Sequence, residues 1–146
     1  PVIGLHVRGG DKVGEDPGLT RLNALYLPEL ERLLREQPEA RIFLSTDDDR
    51  ILARYRELFG ERLVYTVSTR TANVQGVHYQ KQASRRALGD EVLIDALLAA
   101  RCDRFLGNGL SNVSLAVAQM RRWTPGTCRL FGTRLDYLRQ LTLYRS

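Results

Sequence analysis

The chain begins with an apolar run that ends in residues able to bind an anion. His6 and Arg8 lie two positions apart, so on a β-strand their side chains point to the same side. Gly9 and Gly10 follow, and glycines at a strand end allow a turn or the close approach of a ligand. A guanidinium beside two glycines and the carboxylate of Asp11 is suited to binding phosphate. The alternative is an ordinary strand end, because short glycine-containing motifs often arise without function.

Two more polar groups follow apolar runs further along the chain. Asp47 and Asp48 come after the second run, and Ser111 and Asn112 come after the fourth. Each group has a structural explanation, because Asp and Ser are favoured residues at the N-cap of a helix. Ser111 also has a functional one, since the first N–H groups of a helix and its dipole attract phosphate.

Asp95 interrupts the most apolar segment of the chain, residues 90–100. An unpaired carboxylate buried in a helix is costly. We therefore expect Asp95 either to accept a hydrogen bond or to face a ligand. A guanine edge, which presents an N–H and an NH₂ group side by side, is a suitable partner for a carboxylate.

Strands and helices alternate, which predicts an α/β fold with a doubly wound parallel sheet covered on both faces. Strands are predicted near residues 2–7, 41–45, 63–67, 104–107 and 128–131. Helices are predicted at 20–35, after Asp48 to Gly60, at 90–100, at 111–120 and at 135–144, with a long polar loop over 68–88. Pro28 either kinks the first helix or divides it in two. In a sheet of order 3-2-1-4-5, strands one and four are neighbours, and Arg8 faces the start of the Ser111 helix across the crevice where ligands bind.

Composition narrows the classes of protein. The 146 residues fit one domain, and no segment approaches the length of a membrane span. The net charge of +5 favours anionic ligands, but the arginines are scattered instead of forming one stripe, which disfavours a nucleic-acid binder. Cys102 and Cys128 lie in or beside apolar runs without a CxxC motif, which predicts buried free thiols and leaves the redox compartment open.

Three motifs, in order, resemble the donor-binding half of GDP-fucose fucosyltransferases. Residues 6–14 (HVRGGDKVG) are similar to the H-V-R-R-x-D-K-V-G strand end of core α-1,6-fucosyltransferases. Residues 45–48 (STDD) are similar to their A-T-D-D, and an apolar helix with Asp95 leads to a serine-containing turn. Residues 105–112 (FLGNGLSN) look like the corresponding turn of protein O-fucosyltransferases. The resemblance covers most of the chain and implies a Rossmann-like domain of about five strands, one half of a GT-B-like enzyme.

The resemblance also implies roles in binding the donor. Arg8 would bind the β-phosphate and stabilise the charge that develops on departing GDP, without a metal. The other implied donor-binding residues are His6 and Asp95 at guanine, Ser111 and the N–H of Asn112 at phosphate, and Asp47 and Asp48 as organisers of loops around the site.

For catalysis, the family places a carboxylate just after D-K-V-G. Glu15 or Asp16 would fill that place here, with Lys12 beside it. Gly9 departs from the family, because it replaces the second arginine of the core enzymes' pair. The implied reaction transfers fucose from GDP-fucose to a glycan or protein acceptor with inversion. Residues 1–146 are then the donor-binding domain of a longer enzyme whose N-terminal acceptor domain is missing.

Other interpretations stay open at this point. The α-1,2-fucosyltransferases also carry H-x-R-R-x-D, so a different linkage or another GDP-sugar fits the same motif. A protein of a different class, a non-catalytic Rossmann-like domain that binds a nucleotide or a nucleic acid, fits the predicted fold as well.

Overall fold

The computed structural model of the protein describes residues 1–9, 18–70 and 84–132. Strands and helices alternate there in the order β1 (Val2–Val7), α1 (Gly18–Asn23), α2 (Tyr26–Glu36), β2 (Arg41–Thr46), α3 (Asp49–Phe59), β3 (Leu63–Val64), α4 (Arg85–Ala100), β4 (Arg104–Asn108), α5 (Asn112–Gln119) and β5 (Cys128–Phe131). A short 3-10 helix, Gly60–Arg62, connects α3 to β3. The helix predicted at 135–144 lies outside the described residues.

The five strands form one parallel sheet in the order β3-β2-β1-β4-β5. β1 is central, and its Leu5 is paired with Leu44 of β2 and Leu106 of β4. The Rossmann-like α/β class and the predicted strand order are therefore confirmed. Since the connections run in opposite directions on either side of β1, the carboxyl ends of β1 and β4 flank the switch point at which such sheets bind ligands.

The side chains of each strand alternate between two cores, as the two-residue period of a strand requires. Ile3 and Leu5 pack with Tyr26 of α2 and its neighbours in one core, to which α3 also contributes. The other core lies against α4 and α5 and is built on Phe43, Phe105, Ala96, Ala99 and Val117. His6 alternates with Leu5 and therefore lies on the side of α4 and α5.

Two helices differ from the prediction. The first predicted helix is divided into α1 and α2. Division was one of the two outcomes expected of Pro28, and a kink was the other. Pro28 occupies the first turn of α2, where its missing N–H costs nothing because N–H groups of a first turn have no partner within the helix. α4 begins at Arg85, five residues earlier than predicted, because Ser84 caps it: its Oγ accepts the N–H of Ala87 at 3.1 Å.

α4 is apolar around most of its circumference. Leu93, Ile94 and Leu97 on its outer side are about half exposed, while Ala96 and Ala99 are buried against the sheet. None of the helices in the described ranges combines the length and the hydropathy needed to cross a membrane.

The two cysteines are free, as predicted, but only Cys102 is fully buried. Burial raises the pKa of the Cys102 thiol to about 11, so the thiol stays protonated and unreactive at neutral pH. Cys128 is half-buried because it begins β5, at the edge of the sheet.

Candidate functional site

The carboxyl ends of β1 and β2 border a small cleft whose opposite wall is the first half of α4. Its polar lining includes His6, Arg8, Asp47, Glu91 and Asp95. His6 and Arg8 thus line one cavity, as their spacing on a strand predicts. The cleft measures about 70 Å³, room for the edge of a ring but not for a whole nucleotide, since ligand pockets typically measure about 300–1,000 Å³.

Asp47 positions the end of β1. Its Oδ2 lies 3.2 Å from Nη1 of Arg8, and its Oδ1 accepts the N–H of Gly9 at 2.9 Å. From the other side, Nδ2 of Asn23 donates to the carbonyl of Arg8 at 2.8 Å. These bonds restrain both the backbone and the guanidinium of Arg8, whose side chain keeps 23% of its surface exposed.

Asp48 turns away from the cleft and holds α3. Its Oδ1 accepts the N–H of Arg50 at 2.9 Å, which makes it the N-cap of that helix, and its Oδ2 lies 2.7 Å from Nη2 of Arg50. Gly9 is in close contact with it: a Cβ at Gly9 would lie 2.6 Å from Cβ of Asp48 and 2.9 Å from Cδ1 of Ile51. The second arginine of the core fucosyltransferases has no space here without displacing α3.

His6 belongs to a buried hydrogen-bond network. Its Nδ1 lies 2.6 Å from Oγ of Ser114 in α5, and the same Oγ accepts the N–H of Asn108 at 2.9 Å. Gly107 makes this approach possible, because a Cβ there would lie 2.8 Å from Oγ of Ser114. Burial, and next the charge of Arg8, lower the pKa of His6 to about 3, so the ring is neutral at physiological pH.

Asp95 accepts a hydrogen bond, the first of the two expected outcomes, and it also lines the cleft. It is 5% exposed, its Oδ1 accepts the hydroxyl hydrogen of Thr66, and the side chain lines the cleft. Oδ2 of Asp95 has no hydrogen-bond partner among the described residues.

Ser68 and Thr69 form the remaining wall of the cleft, and the path of segment 65–70 explains why β3 is shorter than predicted. Beyond Val64, the chain leaves the sheet toward α4, where the N–H of Thr69 donates to Glu91 at 2.9 Å. Arg70 ties the segment to β2, with Nε donating to the carbonyl of Thr46 at 3.1 Å. Residues 65–67 therefore lie outside the sheet.

Ser111 and Asn112 lie at the start of α5, beside the cleft but not in its lining. Ser111 is the N-cap residue by backbone position, yet its side chain makes no capping hydrogen bond. Asn112 is exposed, and the residue of this first turn that lines the cleft is Val113.

The proposed catalytic residues Lys12, Glu15 and Asp16 lie outside the described residues. Four residues of the site were not predicted as site residues from the sequence, namely Tyr26, Thr66, Glu91 and Ser114. Tyr26 donates its hydroxyl to the carbonyl of His6 at 2.7 Å and so fixes the backbone beside the ring. Only Ser114 carried a signal, because it lies three residues after Ser111 and therefore on the same side of the helix.

Two larger cavities lie elsewhere in the described part of the chain. One of about 620 Å³ is bordered by α3 and Tyr65, and one of about 430 Å³ lies between α1, α2 and α3. The second is also lined by Val7 and Asp48, so it adjoins the carboxyl ends of β1 and β2 on the side of α2 and α3.

Compared with known proteins, the chain matches no family model and no curated protein. The likeness of its motifs to fucosyltransferases stays a prediction.

Proposed function

We propose that the protein is the donor-binding domain of an inverting fucosyltransferase and that it binds GDP-fucose at the carboxyl ends of β1, β2 and β4. The observation that supports this most is the composition of one cleft. It combines the guanidinium of Arg8 with the neutral ring of His6 and the buried carboxylate of Asp95, groups that suit a diphosphate and a guanine edge.

The size of the cleft suggests how the nucleotide lies. Guanine would enter edge-on, with its N1–H and 2-amino group donating to Asp95. The ribose and the diphosphate would lie outside the cavity, along Arg8 and Gly9 and toward the first turn of α5. That turn offers N–H groups and the positive end of the helix dipole to phosphate.

The reaction would be a single displacement. The acceptor hydroxyl attacks C1 of fucose from the side opposite GDP, and the bond between C1 and the β-phosphate oxygen breaks. The electron pair leaves with GDP, where Arg8 stabilises the added charge. The hydroxyl proton passes to a carboxylate, for which Glu15 and Asp16 are the candidates. The glycan or protein acceptor would bind a second domain, so this chain alone binds the donor and turns over little.

Isothermal titration calorimetry with GDP, GMP, ADP and UDP tests the binding part of this proposal. We expect GDP to bind most tightly, GMP to lose the β-phosphate contact, and ADP and UDP to lose the base contacts. Equal weak binding of all four nucleotides would contradict a guanine-specific site.

The Asp95→Asn variant tests the base site. An amide offers one acceptor where the carboxylate offers two, so the preference for GDP over ADP should fall. Asp90→Asn is the matched control, because Asp90 is an exposed aspartate on the same helix. Unchanged selectivity in Asp95→Asn would remove Asp95 from the base site.

A second candidate is a non-catalytic domain that binds nucleic acid, which the net charge of +5 favours. Salt separates the two functions, because nucleic-acid binding weakens steeply with salt through counterion release. A guanine pocket instead keeps its preference for GDP over ADP at any fixed salt concentration. A transferase for another GDP-sugar would share that preference and would differ only in the sugar it transfers.

A further inference from the structure

The hydrogen bonds of Ser114 determine which nitrogen of His6 carries the proton. Ser114 is fully buried, and within the described ranges its Oγ has two partners, Nδ1 of His6 and the backbone N–H of Asn108. The N–H of Asn108 is only a donor, so it occupies a lone pair of Oγ. The hydroxyl hydrogen of Ser114 is left with one acceptor, Nδ1 of His6.

A ring nitrogen that accepts a hydrogen bond carries no proton, and a neutral imidazole has one N–H. His6 is therefore protonated at Nε2. Because the Nδ1 side of the ring faces Ser114 while the ring lines the cleft, a ligand in the cleft meets His6 as a hydrogen-bond donor.

We propose that Ser114 is a positioning residue that holds His6 as the Nε2–H tautomer and thereby makes the site select purines with a carbonyl at C6 over purines with a 6-amino group. This role in selectivity rests on the proposed function, whereas the tautomer itself does not depend on any ligand.

Two groups of residues that line the cleft form a complementary pair. Nε2–H of His6 is a donor, and Oδ2 of Asp95 is an acceptor without a described partner. Guanine and hypoxanthine offer the reverse pair, an O6 acceptor beside an N1–H donor. Adenine offers a 6-amino donor beside an unprotonated N1. Its amino group would therefore face Nε2–H of His6, another donor, and its N1 would face the carboxylate of Asp95, another acceptor. If His6 carried its proton on Nδ1 instead, Nε2 would accept and the adenine amino group would be favoured.

Nitrogen NMR of the unliganded protein tests the tautomer directly. His6 and His78 are the two histidines of the chain, so a His78→Gln variant with ¹⁵N-labelled histidine leaves the His6 ring alone in the spectrum. We expect one ring nitrogen to have the ¹⁵N chemical shift of an unprotonated imidazole nitrogen, and its couplings to the ring hydrogens should assign it to Nδ1. The other nitrogen, Nε2, should have the chemical shift of a protonated one. A protonated Nδ1 would overturn the proposal whatever the protein binds.

Selectivity is tested with GDP, IDP and ADP, since IDP has the C6 carbonyl of GDP without its 2-amino group. In Ser114→Ala, His6 loses the bond that fixes its tautomer. One neutral hydrogen bond corresponds to about 0.5–1.5 kcal/mol, so the preference for IDP over ADP should fall about twofold to thirteenfold. Ser114→Thr retains the hydroxyl and should restore the preference. A Ser114→Ala protein that keeps both the Nε2–H tautomer and the wild-type preference would overturn the role of Ser114.

Ser84→Ala is the matched control, because Ser84 is an exposed hydroxyl residue that caps α4 and does not line the cleft. It should lower stability without changing the preference for IDP over ADP. If the wild-type protein binds none of the three nucleotides, the proposed function fails and the NMR result alone decides whether Ser114 sets the tautomer.

Discussion

Arg8 carries the positive charge of the proposed site, and Asp47 determines where that charge lies. The carboxylate of Asp47 holds the guanidinium through Oδ2 and the following backbone N–H through Oδ1. This arrangement orients Arg8 before any ligand arrives, so less side-chain entropy is lost when a phosphate binds.

Arg8→Ala should weaken GDP binding much more than GMP binding. A hydrogen bond to a charged group contributes about 1.5–3 kcal/mol, which corresponds to a loss in affinity of roughly tenfold to hundredfold for GDP. GMP lacks the β-phosphate and should lose far less. Arg35→Ala removes the same charge from the exposed end of α2 at the opposite edge of the sheet, and should change neither affinity. Equal losses for GDP and GMP in Arg8→Ala would refute the β-phosphate contact.

His6 should make stability depend on pH. In the unfolded chain its pKa is near 6.5, and in the folded protein burial lowers it to about 3. Between these values the unfolded state binds the additional proton, so the contribution of His6 to stability is complete above pH 6.5 and is lost as the pH falls toward 3. The slope contributed by one such group approaches about 1.4 kcal/mol per pH unit.

Urea unfolding of the wild-type protein and of His6→Gln between pH 7.5 and pH 5 measures this contribution. The free energy of unfolding should fall more steeply with decreasing pH in the wild-type protein than in the variant. Parallel pH profiles would show that His6 does not titrate differently in the folded and unfolded states.

At the scale of elements, the site depends on how closely the end of β1 approaches the start of α3. A Cβ at Gly9 would lie 2.6 Å from Cβ of Asp48, the N-cap of α3. Gly9→Ala should therefore lower the free energy of unfolding by about 1–3 kcal/mol through overpacking.

The matched control for this prediction is Gly89→Ala. Gly89 lies within α4, and a Cβ there meets no atom within 4 Å. Alanine should raise the free energy of unfolding by about 0.5–1 kcal/mol at this position, because glycine is the poorer helix former. Chemical denaturation of both variants measures the difference in sign. Equal effects of the two substitutions would show that Gly9 is not restricted by packing.

The elements themselves were largely predictable from local patterns. Apolar runs located all five strands, and their alternation with helices led to the sheet order found in the structure. The errors arose where long-range bonds override local pattern. Residues 65–67 have strand-like sequence, yet the bond from Thr66 to Asp95 and the bond from Thr69 to Glu91 draw this part of the chain away from the sheet.

The candidate site was predictable to the extent that strand ends determine it. His6 lies near the end of the first apolar run, and Arg8 and Asp47 directly follow apolar runs, so a parallel sheet brings all three to one edge. The contact of Ser114 with His6 was out of reach because the two residues lie 108 positions apart in the sequence, and only the packing of α5 on the sheet brings them together. Asp95 was identified because an unpaired carboxylate buried in an apolar helix is costly, but nothing in the sequence identified Thr66 as its partner.

For the molecule as a whole, the cavity with the most suitable polar residues for a nucleotide is not the cavity with the most suitable volume. A larger cavity, about 620 Å³ beside α3 and Tyr65, could hold a nucleotide by volume alone. The cleft at the carboxyl edge measures only about 70 Å³, but it combines Arg8, His6 and Asp95 beside the end of β1, next to the switch point of the sheet. The proposed function requires GDP to bind at the cleft and not in the larger cavity.

Mapping GDP by amide chemical-shift changes on the ¹⁵N-labelled protein decides between these locations. The proposed site predicts changes at Gly9, Asp47, Asp95 and Val113, with the amides around Arg56 and Gly60 unaffected. Changes concentrated at Arg56, Gly60 and Tyr65, with those at the carboxyl edge absent, would place GDP in the larger cavity and contradict a donor site at the ends of β1, β2 and β4.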